Sequence, residues 1–156
     1  MYRFTESVPV DRPATEIWAR LIDFPNIPAW EDGVLEVRQT SPGRPGIGTT
    51  FFARRVLGGR EYDLDCRITD WQDDRSVTME IRGGPLRRAF VGYAVEPTSE
   101  STSLVTYSTE GELRRPFGWL APLIPVMGRR LIRSNIATLE RMIEGAAAEA
   151  LGERGA

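Results

Sequence analysis

Six segments typical of β-strands follow one another between residues 34 and 113, each ending at a short stretch rich in turn-forming residues. The clearest is "EYDLDCRI", in which Tyr62, Leu64, Cys66 and Ile68 alternate with charged residues. Such alternation places apolar side chains on one face of a sheet and polar side chains on the other. Because the connections are short, the segments are predicted to form an antiparallel meander with one dry face, which another element must cover.

The six predicted strands differ in length, and "VTMEI" repeats the alternation of "EYDLDCRI". They are "VLEVRQT", "TTFFARRVL", "EYDLDCRITDW", "VTMEI", "LRRAFVGYAVE" and "TSLVTYSTEGEL". A seventh strand, "YRFTESVPV", begins the chain, and "DRPATEIWARLI" after it is predicted to be a helix with Pro13 at its first position.

The cover for the dry face is predicted to be a C-terminal helix spanning about residues 125–148. At about 100° per residue, its apolar residues fall on one half of the helix and its charged residues on the other. The apolar half comprises Met127, Leu131, Ile132, Ile136, Leu139, Met142 and Ile143. At the rise of an α-helix this segment is about 35 Å long, which is enough to cross a whole sheet.

Asn135 interrupts the apolar half of this predicted helix and should therefore point at the sheet. A buried amide without a partner costs about 1 to 3 kcal/mol, so it must meet protein, water or ligand. Two interpretations follow. Either backbone or a trapped water satisfies Asn135, or it is a polar anchor in a cavity.

The chain contains no His and no Lys, so all 20 of its basic residues are Arg. Without His, the usual triad base and His-ligated metal sites are excluded. Without Lys, Schiff-base chemistry and a P-loop are excluded. We therefore expect no metal site and no cofactor.

Location and partners are predicted from charge and from what the chain lacks. The single Cys66 cannot form an internal disulfide, and no apolar run has the length of a signal peptide or a membrane span, which predicts a cytoplasmic protein. A net charge of -2 argues against general nucleic-acid binding, although the Arg pairs could form a local basic patch.

The segment "DFPNIPAWEDG", residues 23–33, fits neither regular structure nor a solvated loop. Pro25 and Pro28 forbid a long regular element. Phe24, Ile27 and Trp30 are nevertheless too apolar for an exposed connection. We call residues 23–33 the corner.

The order strand, helix, corner, six-strand meander and long helix resembles the START/Bet v 1-like (SRPBCC) superfamily. The phrases "VPVDRPATEIWARLIDFPNIPAWEDGV", "GIGTTF" and "FVGYAVEPTSESTSLVTYSTEG" are similar to the opening of that fold, its strand-entry glycines and its late strands. The resemblance is closest to the bacterial polyketide cyclase/dehydrase and lipid-transport branch. It implies an α+β helix-grip fold, in which a seven-stranded curved antiparallel sheet wraps around the C-terminal helix and two short helices follow strand 1.

The resemblance also implies a single domain over residues 1–150, and we expect residues 151–156 to form a flexible tail. The corner would then plug one end of the sheet, with Phe24 and Trp30 directed inward, either as plain core or as cavity wall. A sheet that grips a helix leaves a cavity, typically of about a few hundred Å³ or more in ligand-binding proteins.

Ten residues are predicted to contact a ligand in this cavity. They are Trp30, Tyr62, Leu64, Cys66, Met79, Tyr93, Tyr107, Met127, Leu131 and Asn135. Alternation does not decide which way Tyr93 and Tyr107 face. The lining is mainly apolar, which suits a hydrophobic or aromatic ligand.

A catalytic constellation is not evident, so no catalytic residue is assigned. Glu61, Asp63 and Asp65 share the strand face opposite Leu64 and are expected to meet solvent, as are Arg54, Arg55 and Arg67. Cys66 is expected to be structural, because an apolar wall raises the pKa of a thiol.

Three functions remain open. The leading hypothesis is a binder of a small hydrophobic molecule between sheet and C-terminal helix. The alternative is a polyketide aromatase/cyclase-type enzyme, with Tyr62, Tyr93, Tyr107 and Asn135 as orienting or proton-handling groups. The third is an interaction protein that docks a partner through its Arg pairs.

Overall fold

A computed structural model of the chain describes residues 1–154 and consists of seven strands and four helical segments. The strands are β1 (Tyr2–Val10), β2 (Val34–Gln39), β3 (Thr50–Leu57), β4 (Arg60–Gln72), β5 (Ser76–Gly83), β6 (Leu86–Pro97) and β7 (Ser103–Leu113). The helices are α1 (Ala14–Leu21), a 3₁₀ helix in the corner (Phe24–Ala29), a second 3₁₀ helix (Phe117–Leu123) and α2 (Ile124–Arg154).

The seven strands form one antiparallel sheet in the order β1-β7-β6-β5-β4-β3-β2. Strands 2 to 7 are therefore the predicted meander, and β1 closes one edge by pairing with β7. With the long C-terminal helix and the two short helices after β1, this arrangement confirms the helix-grip fold class.

The β3–β4 hairpin is fixed by its two-residue turn, Gly58–Gly59. Both glycines have positive φ, of 59° and 81°, which the tight hairpin turns require and glycine adopts without a steric penalty. The turn sets Leu57 opposite Arg60, and the register that follows places Arg55 opposite Tyr62.

Helix α2 is longer than predicted, because it runs to Arg154 rather than ending near Ala148. Residues 151–154 of the expected tail thus continue the helix, while residues 155 and 156 lie outside the described part. Ile132, Ile136, Leu139 and Ile143 are its buried apolar residues. No helix within residues 1–154 combines the length and apolarity needed to cross a membrane.

The main core lies on the concave face of the sheet and combines side chains from the strands, α1, the corner and α2. The corner belongs to this core, since Phe24 and Trp30 are 2% and 4% exposed. The ring of Phe24 lies 4.5 Å from that of Phe51 on β3. Their inward direction is as predicted.

Candidate functional site

A cavity of about 80 Å³ lies between the concave face of the sheet and the segment formed by α1 and the corner. Twelve of its sixteen lining residues are apolar, and they come from α1, the corner and five strands. These are Leu21, Phe24, Ile27, Val34, Val37, Ala53, Leu64, Cys66, Val77, Met79, Ile81 and Val91. Glu31, Arg55, Tyr93 and Tyr107 complete the lining, so the polar groups are few and clustered.

Two features of this cavity differ from expectation. It is smaller than the predicted few hundred Å³, because the aromatic side chains of the corner fill much of the concavity. In addition, none of its lining residues belongs to α2. The space therefore lies between sheet and corner rather than between sheet and C-terminal helix.

Glu31 and Arg55 form an ion pair in the cavity wall, with 3.5 Å between Glu31 Oε1 and Arg55 Nη1. The Glu31 side chain is 11% exposed and that of Arg55 24%. Glu31 lies in the corner, which is held against β3 because the Val56 N–H donates to the Gly33 carbonyl at 2.7 Å. The irregular corner thus brings a carboxylate to a strand arginine.

The expectation that Arg55 meets solvent is wrong. Residues opposite each other in neighbouring strands share a face, and Arg55 lies opposite Tyr62 while Ala53 lies opposite Leu64. Arg55 therefore belongs to the inner face. The two-residue turn Gly58–Gly59 fixes this register and so predicts that Arg55 faces inward. The polarity of "ARR" suggested instead that Arg55 is exposed.

The polar groups of the cavity influence one another. Burial raises the pKa of the Glu31 carboxyl, and the nearby Arg55 guanidinium opposes this shift without cancelling it. Burial alone would lower the pKa of Arg55, but the charge of Glu31 and the two tyrosines reverse that shift, so the pKa of Arg55 is raised. Arg55 is therefore a fixed positive charge, and Glu31 is a carboxyl that takes up a proton more readily than an exposed one.

Tyr93 and Tyr107 both face the cavity, which settles the facing that alternation left open. They lie opposite each other on β6 and β7, with ring centroids 5.0 Å apart. Trp30 meets the Tyr93 ring edge-on at 5.9 Å. Burial raises the pKa of Tyr93 well above its usual value, so its hydroxyl stays protonated and can donate a hydrogen bond.

Three buried side-chain polar atoms within residues 1–154 have no hydrogen-bond partner: Arg55 Nε, Tyr93 OH and Asn135 Nδ2. The first two belong to cavity-lining residues. An unpaired buried donor costs about 1 to 3 kcal/mol, and in native proteins such a group usually has a functional or solvent partner. Two of the three unpaired donors therefore belong to residues of the cavity wall.

Asn135 is buried at 1% exposure, as its position on α2 predicted. Its side-chain Oδ1 accepts a hydrogen bond from the Asp32 N–H at 3.1 Å. This contact ties α2 to the corner, so backbone satisfies the oxygen of the Asn135 amide. Asn135 does not line the cavity, although its Nδ2 remains unpaired.

The ten predicted ligand contacts divide into three groups. Leu64, Cys66, Met79, Tyr93 and Tyr107 line the cavity. Trp30 and Asn135 are buried outside its lining, and Tyr62 and Leu131 are half-buried outside it. The inward facing expected of Met127 is wrong: its side chain is 67% exposed, because the first turn of α2 presents that position to solvent.

The remaining chemistry-bearing residues are placed as expected. Glu61, Asp63 and Asp65 are exposed on the outer face, and Arg54 Nε lies 3.1 Å from Asp63 Oδ1 there. Burial raises the pKa of the Cys66 thiol to about 12, so this cysteine stays protonated and unreactive in the folded protein. Sequence reasoning missed Glu31, which nothing in its sequence neighbourhood marks as buried.

Comparison with known proteins identifies the chain at the level of family. A family model described as polyketide cyclase / dehydrase and lipid transport matches residues 1–144. No curated protein sequence matches the chain.

Solved structures similar to this fold have low sequence identity. A START superfamily protein of Mycobacterium smegmatis aligns with a TM-score of 0.81 at 13% identity, over 94% of this chain and 99% of that one. A Thermus thermophilus protein aligns at 0.76 and 17% identity, covering 92% and 98%. An aromatase/cyclase of a Streptomyces species aligns at 0.71 and 11% identity, covering 96% and 94%. These likenesses concern the fold.

Proposed function

Because this chain belongs to the polyketide cyclase/dehydrase and lipid transport family, we propose that it binds a small hydrophobic or aromatic molecule carrying an oxygen acceptor in the cavity beneath the corner. The ligand's apolar body would pack against the aliphatic wall. Its oxygen would face Arg55 and Tyr93.

The observation that carries this proposal is the pair of unpartnered donors on residues that line a mainly apolar cavity. Arg55 Nε and Tyr93 OH are both buried without a hydrogen-bond partner. A carbonyl or hydroxyl oxygen of a ligand would accept from them and remove the cost of leaving them unpaired. An apolar pocket with a few convergent polar groups is typical of small-molecule sites.

A cavity of about 80 Å³ holds a few water molecules but not a polycyclic ligand. We therefore expect ligand entry to displace the corner, whose 3₁₀ helix contains Pro25 and Pro28, two residues without a backbone N–H to donate. Trp30 would move with it, since its ring rests against Tyr93. Ligand binding should then change Trp30 fluorescence.

The test compares two probes of similar shape, 2-acetylnaphthalene and 2-ethylnaphthalene, of which only the first carries a carbonyl oxygen. We expect the wild-type protein to prefer the acetyl compound. Tyr93→Phe should weaken its binding by about tenfold, a loss typical of one hydrogen bond, and leave the ethyl compound unaffected. Isothermal titration calorimetry measures both.

Tyr62→Phe is the matched control, because Tyr62 is a half-buried tyrosine outside the cavity lining. It should change neither affinity. Equal loss for both probes in Tyr93→Phe would contradict the proposed role of the hydroxyl. Failure of the protein to bind either probe, with no small molecule extracted from it by organic solvent, would overturn the binding function itself.

A second candidate function is aromatase/cyclase-type chemistry in the same cavity, and the Glu31–Arg55 pair is the observation that favours it. Glu31 would accept a proton from an activated methylene of a poly-carbonyl chain, while Arg55 stabilises the resulting enolate oxygen. The enolate carbon would bond to a second carbonyl carbon. The new alkoxide would take that proton back from Glu31 and become a hydroxyl. Loss of this hydroxyl together with the second proton of the same methylene carbon would release water and form a carbon–carbon double bond.

Glu31→Gln separates the two functions. The variant keeps the size of the side chain but cannot accept the methylene proton. If the protein is an enzyme, cyclised product from a poly-carbonyl thioester should fall by at least about a hundredfold, the usual contribution of a general base. An unchanged rate of cyclisation relative to buffer, in wild type and variant alike, would leave binding as the function.

A further inference from the structure

Residues 114–133 form the surface that carries a further inference, and they lie outside the cavity. This segment connects β7 to α2 and contains the second 3₁₀ helix and the first turns of α2. It starts directly after β7 and contacts the β5–β6 turn, where the Arg114 N–H donates to the Pro85 carbonyl at 2.8 Å. We call it the basic segment.

Four large apolar side chains of the basic segment are exposed to solvent. Trp119 is 71% exposed, Leu123 46%, Val126 73% and Met127 67%. Leu123, Val126 and Met127 follow Trp119 by four, seven and eight residues, which places the four side chains along one side of a nearly continuous helical run. Exposed apolar residues grouped in this way, unlike scattered ones, are typical of an interaction surface.

The opposite side of the same run is packed. Ala121 and Ile132 are buried, and a Cβ at Gly128 would come within 2.4 Å of the Phe4 ring. The segment therefore cannot rotate about its helix axis to bury its exposed side chains without losing its packing against β1. The apolar stripe is a fixed feature of the folded chain.

The basic segment is strongly positive, whereas the rest of the chain is negative. It carries five arginines and no acidic residue, so the rest of the chain has a formal net charge of -7 while the whole chain has -2. Arg115 precedes Trp119 by four residues, and Arg130 follows Val126 by four, so the two cations flank the apolar stripe. Arg129 and Arg133 pair with Glu6, whereas Arg114, Arg115 and Arg130 form no ion pair within residues 1–154.

We propose that the basic segment docks the protein onto the surface of an anionic lipid bilayer. The apolar stripe would enter the headgroup boundary, with Trp119 at the interface that indole side chains prefer. The flanking arginines would pair with lipid phosphates. The negative remainder of the protein would be repelled from the same surface, which fixes the orientation of docking.

An exposed tryptophan beside aliphatic side chains favours a lipid surface over nucleic acid. A nucleic-acid site is built on a patch of basic residues and does not require an apolar stripe. Docking requires no ligand in the cavity. The membrane-docking proposal is therefore independent of the proposed ligand-binding function, and the two can fail separately.

The experiment is co-sedimentation of the full chain with vesicles of phosphatidylcholine alone or of an equimolar mixture with phosphatidylglycerol. We expect binding to the anionic vesicles that weakens as salt is added, and little binding to the neutral ones. Arg114→Gln with Arg115→Gln should lower partitioning at least tenfold, since each arginine near an anionic surface contributes about fivefold. Trp119→Ser with Val126→Ser should abolish it.

Two control variants make the same kinds of substitution outside the basic segment. Arg44→Gln with Arg75→Gln removes two exposed arginines that form no ion pair within residues 1–154, and Ile47→Ser removes an apolar side chain that is 69% exposed. Both should partition as the wild type does. Equal losses in controls and test variants, or no binding to anionic vesicles, would overturn the proposal.

Quenching by brominated phospholipid reports which tryptophan meets the bilayer. Trp18 and Trp30 are 6% and 4% exposed and Trp71 is half-buried, so Trp119 should account for the quenching. Trp119→Phe is expected to keep binding and lose the quenching. Quenching that persists in this variant would place another surface on the membrane and refute the assignment.

The other candidate occupant of the stripe is a second copy of the chain. Light scattering coupled to gel filtration tests this directly. A dimer that Trp119→Ser with Val126→Ser converts to a monomer would overturn the proposal, because the stripe would then be covered in solution. A monomer that binds anionic vesicles through the stripe supports it.

Discussion

The concave face of the sheet supports two regions that are built in opposite ways. In the helix region, α2 rests on β1, with Gly128 against the Phe4 ring and Leu139 fully buried. In the corner region, residues 23–33 pack against β2 at the other edge of the sheet and leave a cavity beside Glu31 and Arg55. The first region is filled by apolar contact, while the second retains charge, hydroxyl groups and space.

This difference follows from the regularity of the segment that covers each part of the sheet. A regular helix presents a regular stripe, which can approach the sheet closely and pack without gaps. The corner is broken by Pro25 and Pro28, so it cannot present such a stripe. The candidate site accordingly lies where the covering segment is irregular.

The largest expected contrast between the regions comes from truncating one side chain in each. Leu139→Ala should cost about 4 kcal/mol, because a fully buried side chain is replaced by a cavity. Met79→Ala should cost about 2 kcal/mol or less, since Met79 is half-buried and already borders open space. Urea denaturation measures both free energies of unfolding. Equal losses would mean that the corner region is packed as tightly as the helix region.

Breaking the ion pair tests the polar character of the corner region. Arg55→Met should cost about 2 to 3 kcal/mol near neutral pH, because it leaves the buried Glu31 carboxylate without its counter-charge. The double variant Glu31→Gln with Arg55→Met should recover most of that loss.

The loss in Arg55→Met should also depend on pH. Burial already raises the pKa of Glu31, and removing Arg55, which opposes that shift, raises it further. The folded variant then binds the Glu31 proton more tightly than the unfolded chain does, so its stability increases as pH falls from about 7 to about 5. Denaturation midpoints that do not change over this range would contradict a buried, uncompensated Glu31.

Two glycines of α2 give the smallest and most local comparison. Gly128→Ala should cost about 1 to 2 kcal/mol, because its Cβ would collide with Phe4 on β1. Gly145→Ala meets open space in the same helix and should stabilise the protein by about 0.5 to 1 kcal/mol. Thermal unfolding followed by circular dichroism should therefore shift in opposite directions. Stabilisation by both substitutions would show that the helix region is not closely packed at Gly128.

Local pattern predicted the fold to within a few residues. Alternation in "EYDLDCRI" and the turns between segments identified the strands, and the short connections implied their antiparallel order. The helical stripe identified α2, although its end at Arg154 was missed because the last turns carry no apolar stripe to mark them. These features depend on neighbours in sequence, which is why they can be read without coordinates.

The candidate site was only half predictable. Leu64, Cys66 and Met79 belong to alternating strands, so their facing followed from pattern. Arg55 was assigned to solvent because residue polarity outweighed the register of its hairpin. Met127 was assigned to the interior because a helical stripe does not reveal where the partner surface ends.

The sequence by itself determined the order of elements, the dry face of the sheet and the absence of His and Lys chemistry, because each depends on composition or on spacing along the chain. Only the tertiary structure decided that Glu31 meets Arg55, that Tyr93 lacks a hydrogen-bond partner and that the cavity lies under the corner. Those facts depend on how the irregular corner packs against the curved sheet. That placement is set by long-range packing, which no local pattern encodes.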